Sequence, residues 1–532
     1  MERISEQVML AWGIRRVAIA FAAGALSVLA LPPFNFFAVL FVSIPVLVWL
    51  LDGASGAPGA GFLGRLRPAF ATGWCFGFGY FTAGLWWLAN ALLVESDQFA
   101  WAVPLAVFGL PAFLAIFYGV AAALARALWS DGLGRIAALA AAFGLIEYAR
   151  AIILTGFPWN AIGYAAMPVP LMMQSAEIVG LFGMSLLTVF VFAAPALIGT
   201  RRGAAPGLAL ALAFFLVHLG YGAYALHGPG SERAPDANAS DANAPVVRIV
   251  QPGIDQAAKW DGGERERIFS ELLALTAQAP AEGAPRPTYV VWPETAIPFL
   301  LTDNPGALSR IADVLQVGQT LITGAVRVED GQGGASARYY NSIYVIDDEG
   351  QIVSAADKAH LVPFGEYLPF GGLLEQAGFR TIAQSFGGYS AAERRTLLNL
   401  PGGLRAVPLI CYEAIFPEMS EIDGTSGDLI VNVTNDGWYG ATPGPYQHLR
   451  QAQLRAVETR RPLVRAANTG ISAVIDARGQ VSGHLGLSAT GILDVRLPQD
   501  DLAAMPISNR EFNFWLIFAL MVSFSIYARL SK

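Results

Sequence analysis

The chain has 532 residues, of which 54% are hydrophobic and only 14% are charged; its mean hydropathy is +0.47. It is too apolar for an ordinary soluble protein and too long for one domain, so a polytopic membrane protein is expected. A formal net charge of -7 supplies no basic face, which excludes a nucleic-acid-binding protein.

A hydrocarbon core of about 30 Å needs about 20 apolar residues in a helix. Runs near that length occupy 17–31, 36–51, 69–94, 99–129, 134–155, 171–199, 207–226 and 512–528, which predicts a helical bundle of about eight transmembrane spans. The first run follows Arg15 and Arg16 as a signal peptide would. A second run begins just beyond Pro32-Pro33-Phe34-Asn35 without a small-residue cleavage site, so the first is expected to stay as an anchor. Arg3, Arg15, Arg16, Arg65, Arg67, Arg126, Arg135, Arg201, Arg202, Arg529 and Lys532 fall at one set of run ends, and the alternate loops hold only Arg150. Because short cytoplasmic loops collect Lys and Arg, both termini are expected in the cytoplasm and the long polar segment outside, in a bacterium the periplasm. Glu147, Arg150 and Glu177 sit toward run ends and Asn90 and Asn160 near interfaces, where snorkelling would account for them. Few paired charges within the runs argue against a transporter.

The expected division is transmembrane helices over 1–228, a linker over 229–245, a polar domain over 246–498, and a final helix with its tail over 499–532. The linker repeats Asp-Ala-Asn at 236–238 and 241–243 among Pro and Gly, which marks it as flexible. Beyond it, strands are predicted over 246–250, 289–292, 320–328, 340–346, 404–410, 428–433, 463–466, 471–475 and 492–495. Helices are predicted over 265–278, 307–315 and 446–459. Short apolar strands alternating with helices indicate a layered α/β domain, which places reactive groups where strands end.

Three such places carry unusual residues. Trp292-Pro293-Glu294-Thr295-Ala296 puts an acid after an apolar strand, Asp357-Lys358 leads into an aromatic and proline-rich loop, and Leu409-Ile410-Cys411-Tyr412-Glu413 ends a strand at a cysteine. The only other cysteine, Cys75, lies in an apolar run, so Cys411 stands unpaired in a compartment where disulfides form. A free thiol with a pKa of about 8.5 is only slightly ionised at neutral pH and needs a base or a nearby cation. Glu294 could take the proton, and Lys358 could stabilise the thiolate and an oxyanion. Singly, the three could equally be a solvated loop acid, a surface charge and a small buried hydrophobe. The five histidines show no metal spacing, and no Cys-x-x-Cys, Walker or dinucleotide pattern occurs, so no cofactor or metal is implied. A cysteine–histidine protease using His360 or His448 is a minor alternative.

The order Glu294, Lys358, Cys411 resembles the carbon-nitrogen hydrolase, or nitrilase, superfamily. More closely, the chain is similar to the apolipoprotein N-acyltransferase family. The similarity rests on Gly156-Phe157-Pro158-Trp159, Lys259-Trp260-Asp261, Trp292-Pro293-Glu294-Thr295-Ala296-Ile297-Pro298 and Tyr340-Asn341. It continues in His360-Leu361-Val362-Pro363-Phe364-Gly365-Glu366, Asn435-Asp436-Gly437-Trp438-Tyr439-Gly440 and Arg461-Pro462-Leu463-Val464-Arg465. Gly437 departs from the alanine common there. The resemblance implies an α-β-β-α nitrilase-like sandwich inserted into the membrane bundle of a bacterial inner-membrane enzyme. It implies that Cys411 takes an acyl chain from a phospholipid as a thioester and passes it to the α-amino group of a lipoprotein's diacylglyceryl-cysteine. Glu294 would be the base, Lys358 the oxyanion stabiliser, Glu366 and Glu413 assisting acids, and Tyr412 and Asn341 neighbours that shape the site. Trp260 and Trp159 would line the region where lipid enters, or serve as interfacial anchors. A monomer without cofactors is expected.

Energetics also favours a lipid substrate over a soluble amide. Extracting an acyl chain of roughly 16 carbons into water costs on the order of 12 kcal/mol, so such an enzyme must work at the bilayer surface. Phe364, Tyr367, Leu368, Phe370, Leu373, Leu374, Phe379 and Phe386 form an apolar stretch that could be a membrane-facing lid or a core-packing excursion. The rival readings are a membrane-tethered amidase that releases ammonia or free acid, and a lipid-binding transporter or scaffold.

Overall fold

The computed structural model describes residues 2–57, 59–200, 203–228, 244–256, 259, 262–331, 337–371, 388–425, 427–498 and 509–531. Arg201, Arg202, Lys532 and residues 229–243 of the expected linker lie outside the described residues. The chain divides into two compact units, one comprising Met1–Ala89, Asp97–Ser231 and Ile507–Lys532, the other Asn90–Ser96 and Glu232–Pro506.

In the first unit an apolar helix lies at each of the predicted runs, among them Gly13–Ser27, Leu40–Asp52, Phe62–Leu85, Leu133–Ile152 and Arg510–Leu530. Among the described residues, five helical stretches are long and apolar enough to cross a membrane: Gly13–Ala30, Ser96–Ala127, Ala176–Gly199, Ala204–His227 and Arg510–Leu530. Length and composition therefore do not carry the full count of about eight. Phe37–Asp52 is short, Leu133–Ile152 holds Arg135, Glu147 and Arg150, and Phe62–Leu85 is diluted by glycines. Those glycines serve packing. A Cβ on Gly79 would lie 2.1 Å from the carbonyl oxygen of Phe21, and one on Gly24 would lie 1.9 Å from that of Phe76. The two helices thus approach through bare backbone, a contact that small residues permit within membranes.

Glu147 and Arg150 do not snorkel. Glu147 and Arg150 are 0% and 1% exposed and form an ion pair with each other. Glu147 accepts from Tyr118 Oη at 2.7 Å and from Ile162 N at 3.1 Å, while Arg150 donates to the carbonyl oxygens of Trp159 at 3.0 Å and Phe157. The pair pins the chain around 157–162 by satisfying its backbone groups, as a charge buried away from water requires. Asn160 is likewise buried, donating to Gly84 O at 3.1 Å.

The second unit contains twelve strands among its described residues. The first sheet comprises β1 (Val246–Gln251), β2 (Tyr289–Val291), β3 (Thr320–Glu329), β4 (Arg338–Ile346), β5 (Ile352–Asp357) and β12 (Gly491–Arg496), in the order β12-β1-β2-β3-β4-β5. The second comprises β6 (Leu398–Asn399), β7 (Arg405–Ile410), β8 (Leu429–Thr434), β9 (Leu463–Ala467), β10 (Ser472–Ile475) and β11 (Val481–Leu485), in the order β11-β10-β9-β8-β7-β6. The centres, β1-β2-β3 and β7-β8-β9, are parallel and the flanks antiparallel.

Side chains alternate across each strand. Val247, Ile249, Val291, Ile322 and Ile343 of the first sheet face Ile410, Val431, Val433 and Val464 of the second in one core. Val250, Val290, Trp292 and Leu321 point the other way, into Ile268, Phe269, Leu272 and Ile311 of helices Arg265–Thr276 and Pro305–Val314. Helix Pro443–Thr459 follows β8 and presents a buried polar face that includes Gln447, His448, Gln451 and Arg455. The layers are thus the expected α-β-β-α sandwich. Strands β5, β6 and β11 have no counterpart in the sequence prediction. They lie at sheet edges or flanks, and β5 and β11 are half-exposed, so they lack the apolar run that marks a doubly covered strand.

Candidate active site

Strand β7 ends at Ile410, and Cys411 opens a tight turn over Cys411–Ile415. Cys411 has φ 51°, in the left-handed region that non-glycine residues rarely adopt and that needs surrounding contacts to persist. Two contacts hold it. Glu413 accepts from Ile410 N at 2.8 Å, and His448 Nε2 lies 3.1 Å from the carbonyl oxygen of Cys411. The thiol is 5% exposed. Burial first, then the negative charge of Glu294, pushes its pKa up to about 12 against the opposing field of Lys358. At rest Cys411 is therefore a thiol, and its proton must be removed as it attacks.

Glu294 sits just past β2, 6% exposed. Its turn lies so close to β3 that a Cβ on Gly324 would come within 2.6 Å of Glu294 Cα; only glycine permits that approach. Lys358 follows β5 and is 1% exposed. Its Nζ is 2.9 Å from Glu366 Oε1 and 3.5 Å from Glu294 Oε1. Burial alone would discharge this ammonium, but the two carboxylates outweigh it and raise its pKa. Asn341 on β4 bridges the same acids, donating to Glu294 Oε1 at 2.7 Å and Glu366 Oε1 at 3.0 Å. Its carbonyl oxygen accepts from Lys358 N at 2.8 Å. Glu366 also accepts from Val362 N at 2.8 Å.

Glu413 ties the cysteine turn to the lysine loop, because Oε1 accepts from Ala359 N at 2.8 Å and His360 N at 3.1 Å. Burial raises its pKa while these amides and that of Ile410 oppose the rise. Tyr412 is buried with its ring 5.1 Å from Phe416 and 5.8 Å from His360. The second unit thus gathers Glu294, Lys358, Glu366, Asn341, Cys411 and Glu413 into one connected cluster.

Other expected residues fall elsewhere. Trp260 lies outside the described residues, as do Leu373, Leu374, Phe379 and Phe386. Phe364 and Phe370 are 51% and 75% exposed, while Leu361 is buried. Trp159 belongs to the first unit and is 1% exposed, 5.0 Å from the ring of Trp87, so it is no solvent-facing anchor. His448 is not a partner for the thiol, because its Nδ1 meets Asp436 Oδ1 at 2.8 Å and its Nε2 the Cys411 carbonyl. Both ring nitrogens are engaged, which removes the cysteine–histidine arrangement for this residue.

Two groups have a place that the sequence reading did not assign. Lys259, 1% exposed, donates to Glu294 O at 3.1 Å and Thr295 Oγ1 at 2.7 Å. His448, Asp436 and Arg465 form a buried trio behind the nucleophile, with Arg465 donating to Asp436 Oδ2 at 2.7 Å. A lysine before a tryptophan and a histidine inside a helix look like surface residues in a linear reading. The signal present for Lys259 was its place in Lys259-Trp260-Asp261, one of the stretches that carry the family resemblance.

Residues 23–194 match the apolipoprotein N-acyltransferase N-terminal domain, and residues 247–507 match the carbon-nitrogen hydrolase domain. The chain is 58% identical to an apolipoprotein N-acyltransferase of Rhizobium leguminosarum bv. trifolii, over 99% of this chain and 98% of that one. It is 57% identical to another from Rhizobium rhizogenes, over 100% of this chain and 99% of that one. Among solved structures, an amidase from Nesterenkonia sp. is 20% identical over 49% of this chain and 93% of that one, with a TM-score of 0.35.

Proposed function

The chain belongs to the apolipoprotein N-acyltransferase family, and on that premise we propose that Cys411 carries the acyl group from a phospholipid to the α-amino group of a lipoprotein's N-terminal diacylglyceryl-cysteine. In the first half, Glu294 takes the thiol proton as Sγ attacks the ester carbonyl, and the oxyanion forms toward Lys358. Collapse expels the lysophospholipid oxygen, which takes the proton back from Glu294, and leaves a thioester. In the second half, the free amine attacks that thioester and loses a proton to Glu294. The C–S bond breaks, an amide forms, and the sulfur regains a proton. Asn341, Glu366 and Glu413 hold the base, the cation and the nucleophile in register.

The observation that carries this reading is the Glu294–Lys358 contact at 3.5 Å, together with a thiol that burial keeps protonated and on which both charges act. A thiol held protonated requires a base of its own, and Glu294 is the carboxylate whose field reaches it most strongly. We further propose an inner-membrane protein of about eight spans with cytoplasmic termini. Residues 246–498 would then form a periplasmic catalytic domain, reached through the linker over 229–245. The arginine distribution supports that orientation. Tethering at both ends by apolar helices would keep the domain close to lipid headgroups, with exposed Phe364 and Phe370 available to dip into them.

Purified protein incubated with phospholipid labelled in its acyl chain should acquire label on Cys411 and surrender it to a diacylglyceryl-cysteine peptide. No label in the presence of a competent donor would reject the acyltransferase chemistry, and release of free acid without amide formation would favour a hydrolase.

A further inference from the structure

Lys259 is a fully buried cation for which the transfer chemistry above has no task. A charge taken out of water costs several kcal/mol unless it is used or compensated, and an apolar side chain would fill the space more cheaply. Its Nζ grips the turn that carries the base, through Glu294 O at 3.1 Å and Thr295 Oγ1 at 2.7 Å. Thr295 has φ 42°, unusual for a β-branched residue and sustained only by contacts. Gly324 backs that turn from β3, and Lys259 ties it from a second segment.

The charge also acts on the reacting groups. Among the described residues, the fields of Glu294 and then Cys411 reach Lys259. Around them, Glu366 and Glu294 act on Lys358, Glu294, Lys358 and Asp436 act on Cys411, and the field of Cys411 reaches Tyr439. As the proton leaves Cys411, negative charge appears on the sulfur, and an ammonium whose field reaches that atom lowers the cost of the thiolate; the carboxylate of Glu294 feels the same charge, so the effect is read at the sulfur itself.

Resting on the acyltransferase reading, we propose that Lys259 is a positioning residue: it fixes the turn that aims Glu294 and supplies a second positive charge beside the thiol. Burial lowers its pKa to about 8, so this charge is held less firmly than that of Lys358.

The test uses the full-length protein in detergent. Alkylation of Cys411 by iodoacetamide, followed across a pH series by mass spectrometry, is compared with acylation by labelled phospholipid. Lys259→Met should slow both on the order of tenfold or more and move the alkylation profile toward alkaline pH. Lys259→Arg, which keeps the charge, should recover part of the rate. Lys259→Gln keeps a donor without charge and serves where the Met variant does not fold. Its profile should also move. A neutral variant with unchanged thermal unfolding and an unshifted alkylation profile would overturn the proposal, as would equal losses in the Arg and Met variants. Should wild-type Cys411 take no label while alkylation still depends on Lys259 as stated, the acyl-transfer reading fails and the positioning role stands.

Discussion

Replacing Glu294 by Gln removes the only proton acceptor assigned to the thiol while keeping the shape of the side chain. With the thiol at about 12, roughly one molecule in 10⁵ carries a thiolate at pH 7, equivalent to about 7 kcal/mol of unfavourable ionisation. The substitution also deletes a negative charge that helps hold the thiol up, which offsets part of that loss. A fall of about 10³-fold in thioester formation is expected, within the range of about 10² to 10⁴ for a missing general base. The pH dependence is the sharper signature. In Glu294→Gln the residual rate should rise about tenfold per pH unit between pH 6 and pH 9, because only the pre-formed thiolate can attack. In the wild type the proton is taken within the site, and the slope should be much shallower. The assay is single-turnover transfer of labelled acyl chain to Cys411 in detergent. A Gln variant that acylates at the wild-type rate, or whose slow residual rate is flat with pH, would refute the reasoning.

Glu413→Gln should lower stability by about 3 kcal/mol, because one charge-assisted acceptor is lost and an amide N–H is set against a backbone N–H; thermal unfolding in detergent reads this, and acylation should fall with it. Asp436 is held down at about 2: burial would raise it, but Arg465 and His448 outweigh burial. A depressed carboxyl stabilises the fold above its unfolded pKa of about 3.9, and that contribution, roughly 2 kcal/mol, drains away as pH falls from about 4 toward 2. Asp436→Asn should therefore be less stable at neutral pH and show a flatter acid limb in unfolding midpoints. In the first unit, Arg150→Met strands Glu147 without its partner and should cost about 3–5 kcal/mol. Adding Glu147→Gln should restore part of that loss, and a fully additive double variant would contradict a direct pair.

Apolar runs, the doubly covered central strands and the strand ends at Glu294 and Cys411 are properties of short contiguous stretches, so the linear order of residues was enough to locate them. Glu294 and Cys411 could be named because each interrupts an apolar pattern where a predicted strand stops, and Lys358 because it leads into an aromatic and proline-rich loop. The edge strands β5, β6 and β11 escaped notice because one-sided burial leaves no continuous apolar signature. Glu147 and Arg150 misled in the opposite sense: placed near run ends, they suggested snorkelling, yet they are buried and satisfy the carbonyls and amides of a loop beyond their own helix.

Amino-acid order alone determined which groups are available for chemistry, since a thiol, a carboxylate and an ammonium are what they are wherever the chain puts them. Their ionisation was decided only by the tertiary structure. The thiol is lifted to about 12 by burial beside Glu294, Lys358 is kept charged by two carboxylates, and Lys259 is drawn onto the turn of the base. A protonation state depends on which charges come within a few ångströms once water is excluded, and strands distant in sequence set those distances.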